Sequence, residues 1–74
     1  MAFQGALSVE TDIAGAAIYV DGRLAGFTPI TDWQAPVGSH VVRLELDGYQ
    51  RWSAVIRIVA DETNHLLVKL RPVE

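Results

Sequence analysis

The sequence predicts an all-β fold, a small antiparallel β-sandwich of six to seven short strands. Three observations lead there. Apolar and polar residues alternate along most of the chain, the period of a strand with one buried face. Turn signals such as Asp21-Gly22 and Asp47-Gly48 recur at intervals of roughly 8 to 12 residues, the spacing of short strands in sandwiches. No stretch sustains a helical period. Two small sheets packed face to face would bury the inward set, whereas a single twisted sheet would leave Trp52 and the Ile/Val/Leu set against water.

In chain order, Gly5 to Thr11 reads as a first strand, with Leu7 and Val9 on one side and Ser8 and Glu10 on the other. Ala16 to Val20 follows, with Ala16, Ile18 and Val20 on one face and Ala17 and Tyr19 on the other. Asp21-Gly22 then suits a two-residue turn that needs positive φ at both positions. Arg23 to Ala25 forms the return strand, Gly26 marks a bulge or a close backbone approach, and Thr28-Pro29 ends the pairing. Thr31 to Ser39 holds Asp32, Pro36 and Gly38 and reads as a loop, with Ile30, Trp33 and Val37 tucked beneath it.

His40 to Leu46 is the clearest strand, with Val42, Leu44 and Leu46 inward and Arg43 and Glu45 outward. Asp47-Gly48 is a second hairpin signal. Gln50 to Val59 carries Trp52, Ala54, Ile56 and Ile58 inward, Asp61-Glu62 makes a third turn, and Asn64 to Arg71 carries Leu66, Val68 and Leu70 inward until Pro72 stops it.

Seventy-four residues, half of them apolar, make one domain (1–74) with one modest core and no cysteine to reinforce it. A net charge of −3 with mixed signs disfavours nucleic acid, which needs a clustered basic surface. No apolar run approaches a membrane span and no signal-peptide pattern opens the chain, so direct membrane insertion is not expected.

Chemistry finds little footing. His40 and His65 read as surface histidines at strand starts, and no metal site is expected. The carboxylates Asp21, Asp47, Asp61 and Glu62 all fall in turns, where their backbone preferences account for them. No serine has a nucleophile context, and the glycines are spread one per turn rather than gathered before a helix. Neither a catalytic residue nor a cofactor site is expected.

The outward parity is less polar than a solvated sheet requires: Ala17, Tyr19, Leu24, Val41, Val55 and Leu67 all fall on it. With the loop residue Trp33, this selects Tyr19, Leu24, Trp33, Val41 and Leu67 as the candidate interaction surface.

Four motifs in register carry a resemblance over Ala6 to Arg71. Val20-Asp-Gly-Arg-Leu-Ala-Gly-Phe-Thr-Pro29, Pro36-Val-Gly-Ser-His-Val-Val-Arg-Leu44, Asp47-Gly-Tyr49 followed by Trp52, and the alternating strand Leu66 to Leu70 resemble the PEGA domain. Where that family has Pro-Glu-Gly-Ala, this chain has Ile13-Ala14-Gly15-Ala16 and keeps only the Gly-Ala half. The resemblance implies a small sandwich of transthyretin-like or immunoglobulin-like kind. It further implies a non-catalytic module of larger bacterial or archaeal proteins, many of them at the envelope or cell surface.

The expected function is therefore a structural or protein-interaction module, a spacer or assembly piece, partnered by neighbouring domains of the same or another chain. The alternative is a carbohydrate or cell-wall binding module that stacks sugars on Trp33 and Tyr19.

Overall fold

The structure, a computed structural model, describes residues 3–73; Met1, Ala2 and Glu74 of the expected 1–74 domain lie outside the described residues. The described residues form seven strands in two sheets. The strands are β1 (Gln4–Thr11), β2 (Ala17–Val20), β3 (Arg23–Phe27), β4 (Ile30–Pro36), β5 (Gly38–Glu45), β6 (Trp52–Ile58) and β7 (Thr63–Val68). The order is β4-β1-β7 in the three-stranded sheet and β3-β2-β5-β6 in the four-stranded one.

The core lies between the sheets. Leu7 and Val9 from β1 meet Ile18 and Val20 from β2, Val42 and Leu44 from β5, Ile58 from β6 and Val68 from β7, all buried. Trp33, Trp52, Ile56, Leu66 and Tyr49 close its margins, half-buried. The alternation in sequence thus becomes two facing apolar surfaces, as expected.

The β2–β3 hairpin turns on Asp21 (φ 51°) and Gly22 (φ 85°), both left-handed, as the two-residue turn demands. Its return strand runs on to Phe27, because the register shifts between Ile18 and Tyr19 and leaves Ala25 as an extra residue. Asp47-Gly48 behaves differently from expectation. β5 and β6 first pair at Leu44 and Trp52, so the motif is one turn inside a longer connection, closed by the Tyr49 N–H donating to the Leu46 carbonyl at 3.0 Å. That connection pairs with the C-terminal segment: the Gln50 N–H donates to the Arg71 carbonyl (2.7 Å) and the Val73 N–H to the Gly48 carbonyl (2.9 Å).

Further expectations are corrected. The stretch read as a loop from Thr31 to Ser39 is mostly strand, β4 running from Ile30 to Pro36 and β5 starting at Gly38. Its alternation is hidden by a bulge: Leu7 faces Trp33 but Val9 faces Ile30, so Thr31 and Asp32 together oppose Ser8. Asp32 takes a left-handed φ of 54°, and its N–H donates to the Ser8 hydroxyl at 3.2 Å, which explains why Ser8 is buried on an outward parity. Ile30 and Trp33 pack on the core as expected, but Val37 is exposed. Another correction concerns direction. The sandwich is antiparallel except for β1 and β7, which run parallel from Ala6–Thr63 to Thr11–Val68.

Candidate functional site

The outer face of the four-stranded sheet is built by register. Tyr19 pairs with Leu24 on one side and Arg43 on the other, and Arg43 pairs with Ser53. Paired residues on neighbouring strands point the same way, so Leu24, Tyr19, Arg43 and Ser53 make one row. Ala17 places Phe27 and Glu45 in the row on one side of it, and Val41 faces Val55 in the row on the other. Leu24 (55%), Phe27 (59%), Val41 (50%) and Val55 (67%) are well exposed. An apolar set thus crosses all four strands.

A charged thread is laid through it. The Arg43 guanidinium carbon sits 4.4 Å from the centre of the Tyr19 ring, a cation–π contact. Arg43 Nε lies 2.6 Å from Glu45 Oε2, and Arg51 Nε approaches the same oxygen at 3.4 Å. The Arg43 Nε–H is not aligned for a hydrogen bond, so that contact is an ion pair only.

At one end of this face an open cleft of about 680 Å³ lies between the sheet and the β5–β6 connection. Tyr19, Phe27 and Tyr49 line it beside Glu45, Asp47 and Arg51. Arg43 covers one face of Tyr19 and Tyr49 leans on the core, so Phe27 is the most accessible ring.

The other end of the face is pinned by Asp21. Its N–H donates to the Val41 carbonyl (2.8 Å), and its Oδ1 accepts the Val41 N–H (2.9 Å). Its Oδ2 lies 2.6 Å from His40 Nδ1, while His40 Nε2 reaches the Pro36 carbonyl at 2.7 Å. Hydrogen bonding to His40, then to the Val41 amide, holds the Asp21 carboxyl below its ordinary range. The Asp21 carboxylate, then the Pro36 carbonyl, raises the His40 imidazole above its ordinary range against the opposing effect of burial. His40 is thus a half-buried clamp on the inward parity of β5, not the surface histidine expected; its two acceptors make an inward position tolerable. His65 lies exposed on β7 in the other sheet.

A family model for the PEGA domain matches residues 4–74. The chain belongs to the PEGA domain family. No curated protein matches it significantly.

The part of the PEGA tetrapeptide that this chain keeps has a structural reason. Thr28, buried where β3 ends, takes both residues of Gly15-Ala16. Its carbonyl accepts the Gly15 N–H (2.9 Å), its Oγ1 accepts the Ala16 N–H (3.0 Å), and its own N–H donates to the Ala16 carbonyl (2.9 Å). Thr11 donates its hydroxyl to the Ile13 carbonyl, which leaves the Thr28 hydroxyl to donate to Thr11 Oγ1 at 2.8 Å. The Thr-Pro and Gly-Ala motifs of the PEGA domain are two halves of one joint here, and it positions β2 beneath the outer face.

Of the expected surface residues, Tyr19, Leu24 and Val41 come together on this face. Leu67 does not: it is 79% exposed on β7, beside Glu10 on the outside of the other sheet. Trp33 stands apart from this face, half-buried rather than on an exposed loop. It pairs with Leu7 on the inward side of β4 and packs on the core, because the bulge at Thr31-Asp32 restores its inward parity. Phe27 was missed, since Arg23 to Ala25 is too short a strand to include it. Gly26, read as a bulge signal, was the cue that the strand continues.

Proposed function

We propose that this PEGA domain is a non-catalytic module that presents the outer face of its four-stranded sheet to a neighbouring protein domain, within an envelope or surface-associated protein of a bacterium or archaeon. The observation that carries this reading is the apolar set Leu24, Tyr19, Phe27, Val41 and Val55 spread over four strands of a rigid sheet. Contiguous apolar surface of this kind marks interaction sites. The ion pairs of Arg43, Glu45 and Arg51 within it supply polar registration rather than a reacting centre. The two side chains with shifted protonation, His40 and Asp21, are engaged in holding strands together. Extents of 46 × 19 × 15 Å suit a spacer as well as a docking platform.

The cleft supports a second reading, a site for carbohydrate, with Phe27 and Tyr19 beside Glu45, Asp47 and Arg51. It is the weaker one, since Arg43 already occupies a face of Tyr19 and Trp33 is turned into the core.

A photoreactive amino acid placed at Leu24, and at Glu10 on the opposite sheet as a control, tests the choice in the producing cell. Protein adducts of defined mass at position 24 and none at position 10 support the docking face. Polysaccharide adducts at 24, or no difference between the two positions, overturn it.

A further inference from the structure

The sandwich has four open strand edges: β3 and β6 in one sheet, β4 and β7 in the other. Edges invite pairing, and proteins that remain alone blunt them with bulges, glycine, proline or charge. β3 is blunted by the bulge at Ala25, by Gly26 and by the Thr28–Pro29 that follows. β4 is blunted by its own bulge at Thr31-Asp32 and by Pro36. β6 has no bulge, glycine or proline: it pairs with β5 from Trp52 to Ile58 without a register shift, and its one charged residue, Arg57, lies near its end.

The hydrogen-bonding side of β6 follows from Asp21. Both backbone groups of Val41 bond to Asp21, so they point toward β2. Backbone groups alternate sides along a strand, so His40, Val42 and Leu44 turn theirs toward β6, where they meet Ile56, Ala54 and Trp52. Ser53, Val55 and Arg57 therefore turn their N–H and C=O groups to the open edge. None of those groups has a partner among the described residues.

We propose that a second copy of this chain adds its β6 antiparallel to this edge, with the two-fold axis at Val55. The strand is complementary to itself in that register. Val55 exchanges two hydrogen bonds with Val55 of the second copy, and Ser53 and Arg57 do the same with Arg57 and Ser53, about six bonds in all. No like charges fall opposite one another. On the outer face the exposed Val41–Val55 pair continues into its symmetry mate as one apolar row. On the inner face Ala54 meets Ile56 and Trp52 meets the buried Ile58 of the other copy, covering Trp52, Ala54 and Ile56, which the lone sandwich leaves half-buried. β7 is also unblunted, but the same symmetry there would set two His65 side chains together and bring the inward Asn64 against Leu66. This inference goes beyond the docking reading and does not depend on it: it rests on the backbone edge and register of β6, and shares only Val41 and Val55 with the docking face.

Sedimentation velocity across a concentration series, paired with amide hydrogen exchange by NMR, tests it. The expected result is a mass rising from 8.1 kDa toward twice that value with concentration. Exchange at Ser53, Val55 and Arg57 should slow in step, about tenfold where about nine-tenths of the chain is dimer. Val55→Pro removes one edge N–H without touching the β5 ladder and should be folded and monomeric. Val55→Lys, which sets two like charges on the axis, serves if the proline variant fails to fold. A mass fixed at 8.1 kDa, protection at Thr63, His65 and Leu67 instead, or undiminished dimerisation of Val55→Lys would each overturn the proposal.

Discussion

His40 Nδ1 lies 2.6 Å from Asp21 Oδ2, and the other ring nitrogen of His40 faces the Pro36 carbonyl. Both ring nitrogens meet acceptors, so the imidazolium, with two N–H groups, satisfies the site and the neutral ring does not. The pair ties the β2–β3 turn to the start of β5, across the sheet from the candidate face.

The clamp makes stability depend on pH from both sides. His40 is raised, so its contribution is full below the ordinary histidine range, near pH 6.5, and is lost as pH climbs through the raised value. Asp21 is lowered, so its contribution is present above about pH 4 and is lost as pH falls through the lowered value. Thermal unfolding should therefore show greatest stability between roughly pH 4 and 6.5 and a decline on the alkaline side that His40→Gln abolishes. A His40 titration midpoint at or below 6.5 by NMR would contradict the clamp.

Thr28→Val keeps the shape of the joint but removes the oxygen that accepts the buried Ala16 N–H. An unpaired buried donor costs about 1 to 3 kcal/mol. Urea unfolding should show a loss of that size, and Thr28→Ser should recover most of it. Equal stability of the valine and serine variants would mean that the hydroxyl is dispensable.

Gly5→Ala would ordinarily strengthen a strand by about 0.5 to 1 kcal/mol. Here an added methyl would clash with the Val59 carbonyl oxygen and meet Ile58 Cγ2 at 2.8 Å, and backbone cannot step aside cheaply. Overpacking should win and destabilise by about 2 to 3 kcal/mol, a large share of the roughly 4 to 11 kcal/mol expected for a chain of this length. An alanine variant as stable as the parent would show that β1 and the β6–β7 connection separate freely.

Trp33→Ala removes a half-buried ring that packs on the core opposite Leu7. The loss should be about 2 to 4 kcal/mol, somewhat under that of a wholly buried tryptophan. Unchanged unfolding, together with lost binding to cell-wall polysaccharide, would return the residue to the surface role that its neighbours in sequence suggest.

Legibility in the sequence followed the range of the signal. The β2–β3 hairpin was readable because Asp21-Gly22 states its own geometry locally. β5 was readable because Val42, Leu44 and Leu46 alternate without interruption. β4 was not, because Asp32, Pro36 and Gly38 resemble loop residues and the bulge breaks the count between Ile30 and Trp33. His40 sat on the inward parity throughout; its polarity hid it, since the carboxylate and carbonyl that satisfy it lie 19 and 4 residues away. Tyr19, Leu24 and Val41 could be assigned outward from parity alone, but parity does not say which sheet a strand joins, so Leu67 was grouped with them. No local pattern encodes the parallel partner of β1.

That parallel pair governs how the module answers tension. β1 and β7 lie side by side and run in the same direction over six matched positions. A pull on the N-terminal end of β1 against the C-terminal end of β7 slides one strand along the other. The hydrogen bonds between them are then strained together instead of opening one by one from an end, the shear geometry that resists mechanical rupture best. Stretched single molecules of linked copies should yield at a higher force than when the same fold is pulled across the β2–β3 hairpin, which can only unzip.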